Sequence, residues 1–264
     1  MMSRPQDDKY LDFIDDTAVR AADLPGYIAR FQAILDRHGT HAAFYAHAGP
    51  GCIHVRPLLN LRAPDGIRKM HDIAHDAVEL VCEYGGAVSG EHGDGLARTQ
   101  WIRRRYGPEV WGLLLGIKRL FDPQGILNPG KIADGAADMT GNVRTFPSAS
   151  PAPALDFSHQ VDEAPAAELC NGGGGCRARE EGVMCPTFRA TGEEIMSPRG
   201  RANLLRLAMA GAIPDDEAVR REVVDWCIGC KACARECPSG VDVARLRVAW
   251  LHRWHARRGV PLAS

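Results

Sequence analysis

The 264-residue sequence is 45% hydrophobic and 25% charged, so it can bury the cores of one or two domains, and global disorder is excluded. Thirty-two basic and 33 acidic residues leave a formal net charge of -1, which provides no overall field for a nucleic-acid partner. No apolar run predicts a transmembrane segment and the first residues do not resemble a signal peptide, so we expect the protein in the cytoplasm or at the membrane periphery.

The first 132 residues alternate helical and strand-like patterns. A helix capped by Asp23 is predicted to end shortly before Gly39, and residues 40–45 and 53–59 predict two strands around a Gly-Pro-Gly turn. Further helices are predicted over residues 66–83 and over a segment that ends at Pro123. The predicted inward faces are Leu24, Tyr27, Ile28, Phe31, Ile34 and Leu35 in the first helix, Ile67, Met70, Ala74, Ala77, Val78 and Val81 in the second, and Val110, Leu113, Leu114, Ile117 and Phe121 in the third.

The turn between the two strands is bracketed by histidines in the segment HAGPGCIH. If residues 49–52 form a four-residue loop, His47 faces His54 across the strands at a distance that allows metal chelation. Arg56, two residues beyond His54, is predicted to project from the same face. Two ordinary surface histidines are the alternative interpretation.

The segment SGEHGDG, residues 89–95, is a second candidate element. Its glycines allow tight turns that expose Glu91, His92 and Asp94, although a flexible acidic loop has the same composition. Together with the hairpin, it predicts a set of His47, His54 and Glu91 suited to zinc or a similar divalent ion with open positions for substrate. His92 is expected to point elsewhere and to be free to move a proton.

From residue 133 to 165 the composition shifts to Ala, Gly, Ser, Thr and Pro, including PSASPAPA at 147–154. Such a composition predicts a linker. We therefore expect domains at residues 1–132 and 166–264, the second one helical, with helices near residues 199–210, 215–226 and 241–257.

Seven of the nine cysteines lie in the second predicted domain. Cys227, Cys230, Cys233 and Cys237 followed by proline have the spacing CxxCxxCxxxCP, which is typical of iron-sulfur proteins, and Cys185 is expected to complete a 4Fe-4S cluster with the first three. A structural zinc site is the alternative, although zinc sites favour paired CxxC knuckles.

A second cysteine set consists of Cys170, Cys176 and Cys237, and it is one ligand short because Gly173 stands where a middle cysteine would fall. A 3Fe-4S centre, a 4Fe-4S centre with a non-cysteine ligand, and the absence of a second centre remain open. The isolated Cys52 and Cys82 are predicted to be small buried residues.

In order and spacing, HAGPGCIHVRP, SGEHGDG and FDPQGILNPGKI (121–132) resemble the C-terminal part of FAD-linked D-2-hydroxyacid dehydrogenases. This family includes D-lactate, glycolate and D-2-hydroxyglutarate dehydrogenases. CNGGGGC, MCP, SPRGRANLLR and CIGCKACARECP resemble the iron-sulfur domain fused to its large bacterial members. The resemblance implies an α+β fold: an antiparallel sheet with helices from the FAD-linked oxidase, followed by an all-α ferredoxin-like domain.

For individual residues, the resemblance implies that His47, His54 and Glu91 hold the divalent metal and that His92 is the catalytic base. Asn128, in the NPGK segment, corresponds to the part of the family fold that lies beside the flavin. These roles are expectations taken from the family.

The hairpin departs from the pattern GHxGDGNxH that many relatives share. Ala46, Pro50 and Cys52 stand at its Gly, Asp and Asn positions, which removes polar groups available for substrate. Arg56 stands where many relatives have a smaller polar residue, and we hypothesise that its guanidinium binds a substrate carboxylate.

The implied reaction is the oxidation of a D-2-hydroxy acid to the 2-oxo acid. The metal acidifies the substrate hydroxyl, His92 takes its proton, FAD accepts the hydride, and a 4Fe-4S cluster passes electrons to a protein or quinone acceptor. No FAD-binding domain is recognisable ahead of residue 10, so an internal segment or a split-gene subunit is expected. Two alternatives remain: an electron-transfer subunit that needs a separate FAD-binding chain, and a non-enzymatic zinc protein.

Overall fold

A computed structural model describes residues 6–133, 137–144 and 154–260. The chain divides into two compact units, one formed by Asp7–Arg144 and the other built mainly from the sequence after Arg144. Within the described ranges, no helix combines the length and hydrophobicity needed to cross a bilayer.

The first unit contains a four-stranded antiparallel sheet centred on one long strand. The strands are β1 (Lys9–Tyr10), β2 (Thr17–Ala18), β3 (Ala42–His47) and β4 (Cys52–Leu59). Strand β3 pairs along one edge of β4, while β1 and β2 pair with opposite ends of its other edge. The predicted hairpin is confirmed, and β4 is buried along most of its length.

Two amphipathic helices supply the rest of this core. Helices α1 (Leu24–Arg37) and α2 (Gly66–Glu83) are found where the sequence predicts them and pack against each other. Their buried faces contain aromatic and aliphatic side chains: Tyr27, Phe31, Leu35, Met70, Ile73, Ala77, Val78 and Val81. Ile28 and Ile67, which were assigned to these faces, are exposed, because each lies at the margin of its apolar stripe.

The third helix, α3 (Gly95–Phe121), is interrupted at Gly107, whose φ of 79° is not helical. Only its first half is buried, at Arg98, Thr99, Trp101 and Ile102. The predicted burial of the later stripe is wrong: Val110, Leu113, Ile117 and Phe121 are exposed and Leu114 is half-buried. Within the described part of its own unit, the sheet and helices do not cover this half of α3.

Parts of the predicted linker pack on the two cores. Met139 is buried in the first unit and Phe157 in the second, and helix α4 (Glu163–Glu168) begins before residue 166. Residues 145–153, which include all but the last residue of PSASPAPA, lie outside the described ranges, as do the termini at 1–5 and 261–264.

The described residues of the second unit form helices without a strand. They are α4, α5 (Pro186–Thr191), α6 (Pro198–Met209), α7 (Glu217–Val219), which continues as a π-helical turn (Arg220–Asp225), α8 (Ala232–Glu236) and α9 (Val243–Arg258). Ser197 and Asp242 cap α6 and α9 by accepting backbone N–H groups of the first turn. The three predicted helices are confirmed, and Leu205, Leu246 and Trp250 lie at the centre of the core.

Candidate active site and cysteine sites

The register of the β3–β4 hairpin sets the positions of the two histidines. His47 pairs with Cys52, and Tyr45 pairs with His54, so the predicted direct pairing of His47 with His54 is wrong. Because Cys52 and His54 are two residues apart on β4, their side chains share one face. His47 is therefore a diagonal neighbour of His54, with ring centroids 5.3 Å apart.

The loop occupies residues 48–51 instead of 49–52 because of Gly51. This residue has a φ of 77°, and a Cβ at this position would lie 1.8 Å from the carbonyl oxygen of Val19. Its own carbonyl accepts the N–H of Val19 at 3.0 Å. A contact with a residue distant in sequence thus places the turn one position earlier than predicted.

Three imidazoles converge on one carboxylate oxygen in this unit. Oε1 of Glu91 lies 3.2 Å from Nε2 of His54, 3.4 Å from Nε2 of His47 and 3.6 Å from Nε2 of His92. His54 is buried, whereas the side chains of His47, His92 and Glu91 are about half exposed. The expectation that His92 points elsewhere is wrong, since its ring also stacks on His54 with centroids 5.0 Å apart.

Asp15 contacts the buried His54 at Nδ1, the ring nitrogen that does not face Glu91. Its Oδ1 lies 2.9 Å from Nδ1 of His54, and its Oδ2 accepts a hydrogen bond from Nε of Arg56 at 3.1 Å. Its backbone carbonyl accepts a bond from the buried Arg98 guanidinium. Since a carboxylate only accepts, Nδ1 of His54 donates to Asp15, and Nε2 is the ring nitrogen that faces Glu91.

Asp16 fixes the loop that carries Glu91 and His92. Its carboxylate accepts the backbone N–H of Glu91 at 3.0 Å, the N–H of His92 at 2.8 Å and the Ser89 hydroxyl at 2.6 Å. Burial by itself raises the pKa of Asp16, but these hydrogen bonds outweigh it and hold the pKa at about 2. Sequence reasoning missed Asp15 and Asp16, whose only signal is an acidic pair immediately before β2.

Cys52 contacts both Asp16 and His54 with its sulfur. Its thiol is buried and donates to Oδ1 of Asp16 at 3.2 Å. Burial, followed by the hydrogen bond to Asp16, raises the pKa of Cys52 to about 12. The thiol is therefore protonated at neutral pH.

The site offers ligands for a divalent cation, although not in the predicted combination. Among the described residues, ligand atoms of one group lie within 4.8 Å of one another in Asp16, Cys52, His54 and Glu91, and those of a second group in Asp15, His54 and His92, whereas His47 belongs to neither group. Nε2 of His54 and Oε1 of Glu91 lie 3.2 Å apart, a separation that a shared proton or metal ion stabilises. Imidazole nitrogens with a carboxylate oxygen are ligands of zinc and similar divalent ions, and a second carboxylate behind a ligating histidine is typical of such centres.

The other two predicted site residues, Arg56 and Asn128, are not among the side chains that converge on Glu91. Arg56 is near the histidines, but it donates to Asp15 and to the Tyr45 hydroxyl, the latter at 2.7 Å. Asn128 is in an exposed turn after α3 with a φ of 47°. Asp122 organises this turn by accepting the N–H groups at residues 126 and 127, and the histidines take no part in it.

The seven cysteines of the second unit fall into two sets. One cavity is lined by four of them: Cys185, Cys227, Cys230 and Cys233. A separate cavity of about 310 Å³ is lined by the other three: Cys170, Cys176 and Cys237. Gly173 also lines the second cavity, together with Asn171, Arg199 and Ser239 as polar neighbours.

Helix N-termini face both cavities. The Cys233 sulfur accepts the N–H groups of Val243 and Ala244 at the start of α9, and the Cys176 sulfur accepts the N–H of Arg199 at the start of α6. Burial nevertheless raises the pKa of both thiols. N–H groups and helix dipoles stabilise anions, so the first cavity fits a thiolate-bound cluster with four cysteine ligands, whereas the second offers three.

Glu236 connects the two cysteine segments of the four-cysteine cavity. Its carboxylate accepts the N–H of Val183 at 3.0 Å and that of Met184 at 2.9 Å, and these hydrogen bonds lower the pKa of Glu236. Because Glu236 lies between Cys233 and Cys237, it holds the segment before Cys185 against the CxxCxxCxxxCP segment.

Two family models match parts of the chain. Residues 2–132 match FAD linked oxidases, C-terminal domain, and residues 166–241 match the 4Fe-4S dicluster domain. D-2-hydroxyglutarate dehydrogenase of Haemophilus influenzae is 31% identical over 94% of the chain, and that of Pseudomonas putida is 33% identical over 95% of the chain. The chain spans 28% of the length of each of these two relatives. D-lactate dehydrogenase of Archaeoglobus fulgidus is 34% identical over 44% of the chain and 26% of its own length. The chain thus spans less than a third of these relatives.

Proposed function

This chain belongs to the FAD-linked oxidases whose C-terminal domain adjoins a 4Fe-4S domain, and on that premise we propose that it is part of a flavin- and iron-sulfur-dependent oxidoreductase. The proposed reaction is the oxidation of a D-2-hydroxy acid to the 2-oxo acid, with D-2-hydroxyglutarate, D-lactate and glycolate as candidate substrates. The observation that carries the proposal is the convergence of three imidazoles on Glu91 in the oxidase domain.

In this proposal, His47, His54 and Glu91 hold a divalent metal, with zinc as the first candidate. The bound metal supplies Lewis acidity toward a substrate hydroxyl and carboxylate. His92 is the group that takes the hydroxyl proton, since its half-exposed ring lies beside the proposed ligands and an imidazole can accept a proton in general base catalysis. Arg56, on the same strand as His54, is proposed to bind a substrate carboxylate.

The flavin is proposed to be held mainly by a module beyond these residues, with Asn128 beside it. Support comes from the exposed apolar side chains on the second half of α3 and on the turn that follows: Leu113, Ile117, Leu120, Phe121, Ile126 and Leu127. A surface of this kind marks a protein interface. It favours an FAD-binding module as the partner, either in the same polypeptide or as a separate chain.

The cysteine sites are proposed to carry the electrons onward. Cys185, Cys227, Cys230 and Cys233 are assigned to a 4Fe-4S cluster, and Cys170, Cys176 and Cys237 to a second centre that lacks one cysteine ligand. A one-electron centre allows a two-electron flavin to reduce a protein or quinone acceptor. Cysteines crowded in cluster-binding motifs are typical of proteins of a reducing compartment, and on that basis the proposed place of action is the cytoplasm.

The decisive experiment is anaerobic purification of the chain, alone and together with an FAD-binding chain, followed by analysis of iron, sulfide, zinc and flavin. We expect iron and sulfide in both preparations. Dye reduction should require the complex and a D-2-hydroxy acid, with the L-enantiomer of lactate as the inactive control. A colourless protein that contains zinc but no iron or sulfide would instead establish the non-enzymatic zinc protein.

A further inference from the structure

Arg201 is a deeply buried cation at the four-cysteine cavity. It lies on α6 within the segment SPRGRANLLR. Its side chain is 1% exposed, and it lines the cavity together with Cys185, Cys227, Cys230 and Cys233.

The polar contacts of its guanidinium are all with uncharged groups in the described part of the chain. Nη1 lies 3.8 Å from Sγ of Cys185 and donates to the carbonyl of Met196. Nε donates to the carbonyl of Glu222 at 3.3 Å, and Nη2 lies 3.6 Å from the sulfur of Met196. Among the described residues, no carboxylate pairs with the charge of Arg201.

Arg199, two residues earlier on the same helix, provides the contrast. It lines the three-cysteine cavity, but Nε and Nη2 pair with the Glu194 carboxylate at 2.6 and 3.0 Å. Its side chain is also partly exposed to solvent. The charge of Arg199 is therefore largely compensated, and that of Arg201 is not.

A buried cation without a counter-charge is strongly unfavourable. Of the groups that contact the guanidinium, Cys185 is the one that can become anionic, because a cysteine is deprotonated when it binds a metal or cluster. We infer that Arg201 is the counter-ion of the cluster held by Cys185, Cys227, Cys230 and Cys233, and that it raises the reduction potential of this cluster. The inference rests on the proposed function, which assigns the cluster to this cavity.

The direction of the effect follows from the charge balance. Reduction adds one electron, and hence one negative charge, to a group that four thiolates already make anionic, and no proton or bond needs to change. A fixed cation near a ligand sulfur stabilises the reduced form more than the oxidised form, and low dielectric surroundings strengthen the effect. The cluster becomes easier to reduce.

The test is an anaerobic potentiometric titration of the full chain with redox mediators, followed by electron paramagnetic resonance. We expect Arg201→Gln to make the reduced cluster about tenfold less favoured, a shift of about 59 mV to more negative potential. Arg201→Lys, which retains the charge, should give an intermediate potential. Arg206→Gln replaces another buried arginine of α6 that does not line the cavity, and it should leave the potential unchanged.

Iron and sulfide are measured on every sample, so that failure of the proposed function can be distinguished from failure of the inference about Arg201. A wild-type chain without a cluster would overturn the proposed function itself. A cluster retained in Arg201→Gln with the wild-type potential would overturn only the inference. Loss of the cluster from both Arg201 variants, with Arg206→Gln intact, would show that Arg201 is structural and would also overturn it.

Discussion

The carboxylate of Asp16 accepts the backbone N–H of His92 at 2.8 Å, although 76 residues separate them in the sequence. The same carboxylate holds the neighbouring N–H of Glu91. A proposed metal ligand and the proposed base therefore depend on one buried side chain that accepts hydrogen bonds from their backbone. Small side chains at 89 and 90 leave room for this approach. The hydroxyl of Ser89 also donates to Asp16.

We predict that Asp16→Asn loosens this loop. The amide replaces a charge-assisted acceptor with a weaker one, so backbone amide exchange at Glu91 and His92 should become faster by roughly tenfold. Hydrogen exchange followed by mass spectrometry measures this on the full chain. Asp12→Asn, at an exposed position four residues earlier, is the control. Unchanged protection at residues 91 and 92 in Asp16→Asn contradicts the assigned role.

Asp15 is predicted to act on the metal site through His54. Asp15→Asn removes the charge that orients Nδ1, so we expect affinity for Zn²⁺ to fall roughly 10-fold to 100-fold. The measurement is a competition titration with a chromogenic chelator. In contrast to Asp16→Asn, this variant should keep normal amide exchange at Glu91. Equal zinc affinity for Asp15→Asn and Asp12→Asn argues against a metal at His54.

The proposed metal ligands could be singled out from the sequence, but the residues that support them could not. His47, His54 and Glu91 lie in glycine-rich motifs whose chemistry is visible locally. Asp15 and Asp16 lie in an acidic stretch typical of solvent-exposed loops. Their burial depends on β1 and β2 pairing with opposite ends of β4, which is a long-range arrangement.

Two predictions from local sequence patterns, the hairpin register and the burial of the later half of α3, were wrong for physical reasons. The hairpin register depended on the contact of Gly51 with Val19, which no local rule contains. Periodicity correctly indicated an apolar face on the later half of α3, but periodicity does not say what covers such a face. Leu120 and Phe121 are among the most exposed hydrophobic residues described.

We predict that Cys52 is chemically inert in the metal-free protein. The thiolate is the reactive form, and with a pKa of about 12 only about one molecule in 10⁴ carries it at pH 8. Iodoacetamide should therefore modify the exposed Cys230 in cluster-free chain long before Cys52, as peptide mass spectrometry can measure. Asp16→Asn should speed up modification of Cys52, because Asp16 contributes to the raised pKa. Equal modification of Cys52 and Cys230 in the wild type would refute the prediction.

The exposed face of α3 yields the last prediction, on binding of the FAD-binding module. Leu120 is 76% exposed, so Leu120→Gln should leave the melting temperature of the chain unchanged. If the module covers this residue, the substitution costs about 2 kcal/mol of binding, which is roughly a 30-fold increase in Kd. Calorimetric titration with the FAD-loaded module measures it, and Arg119→Gln, at the exposed neighbouring position, is the control. Wild-type affinity in Leu120→Gln would place the flavin module on another surface, because an apolar side chain at the centre of an interface cannot become polar without loss of binding.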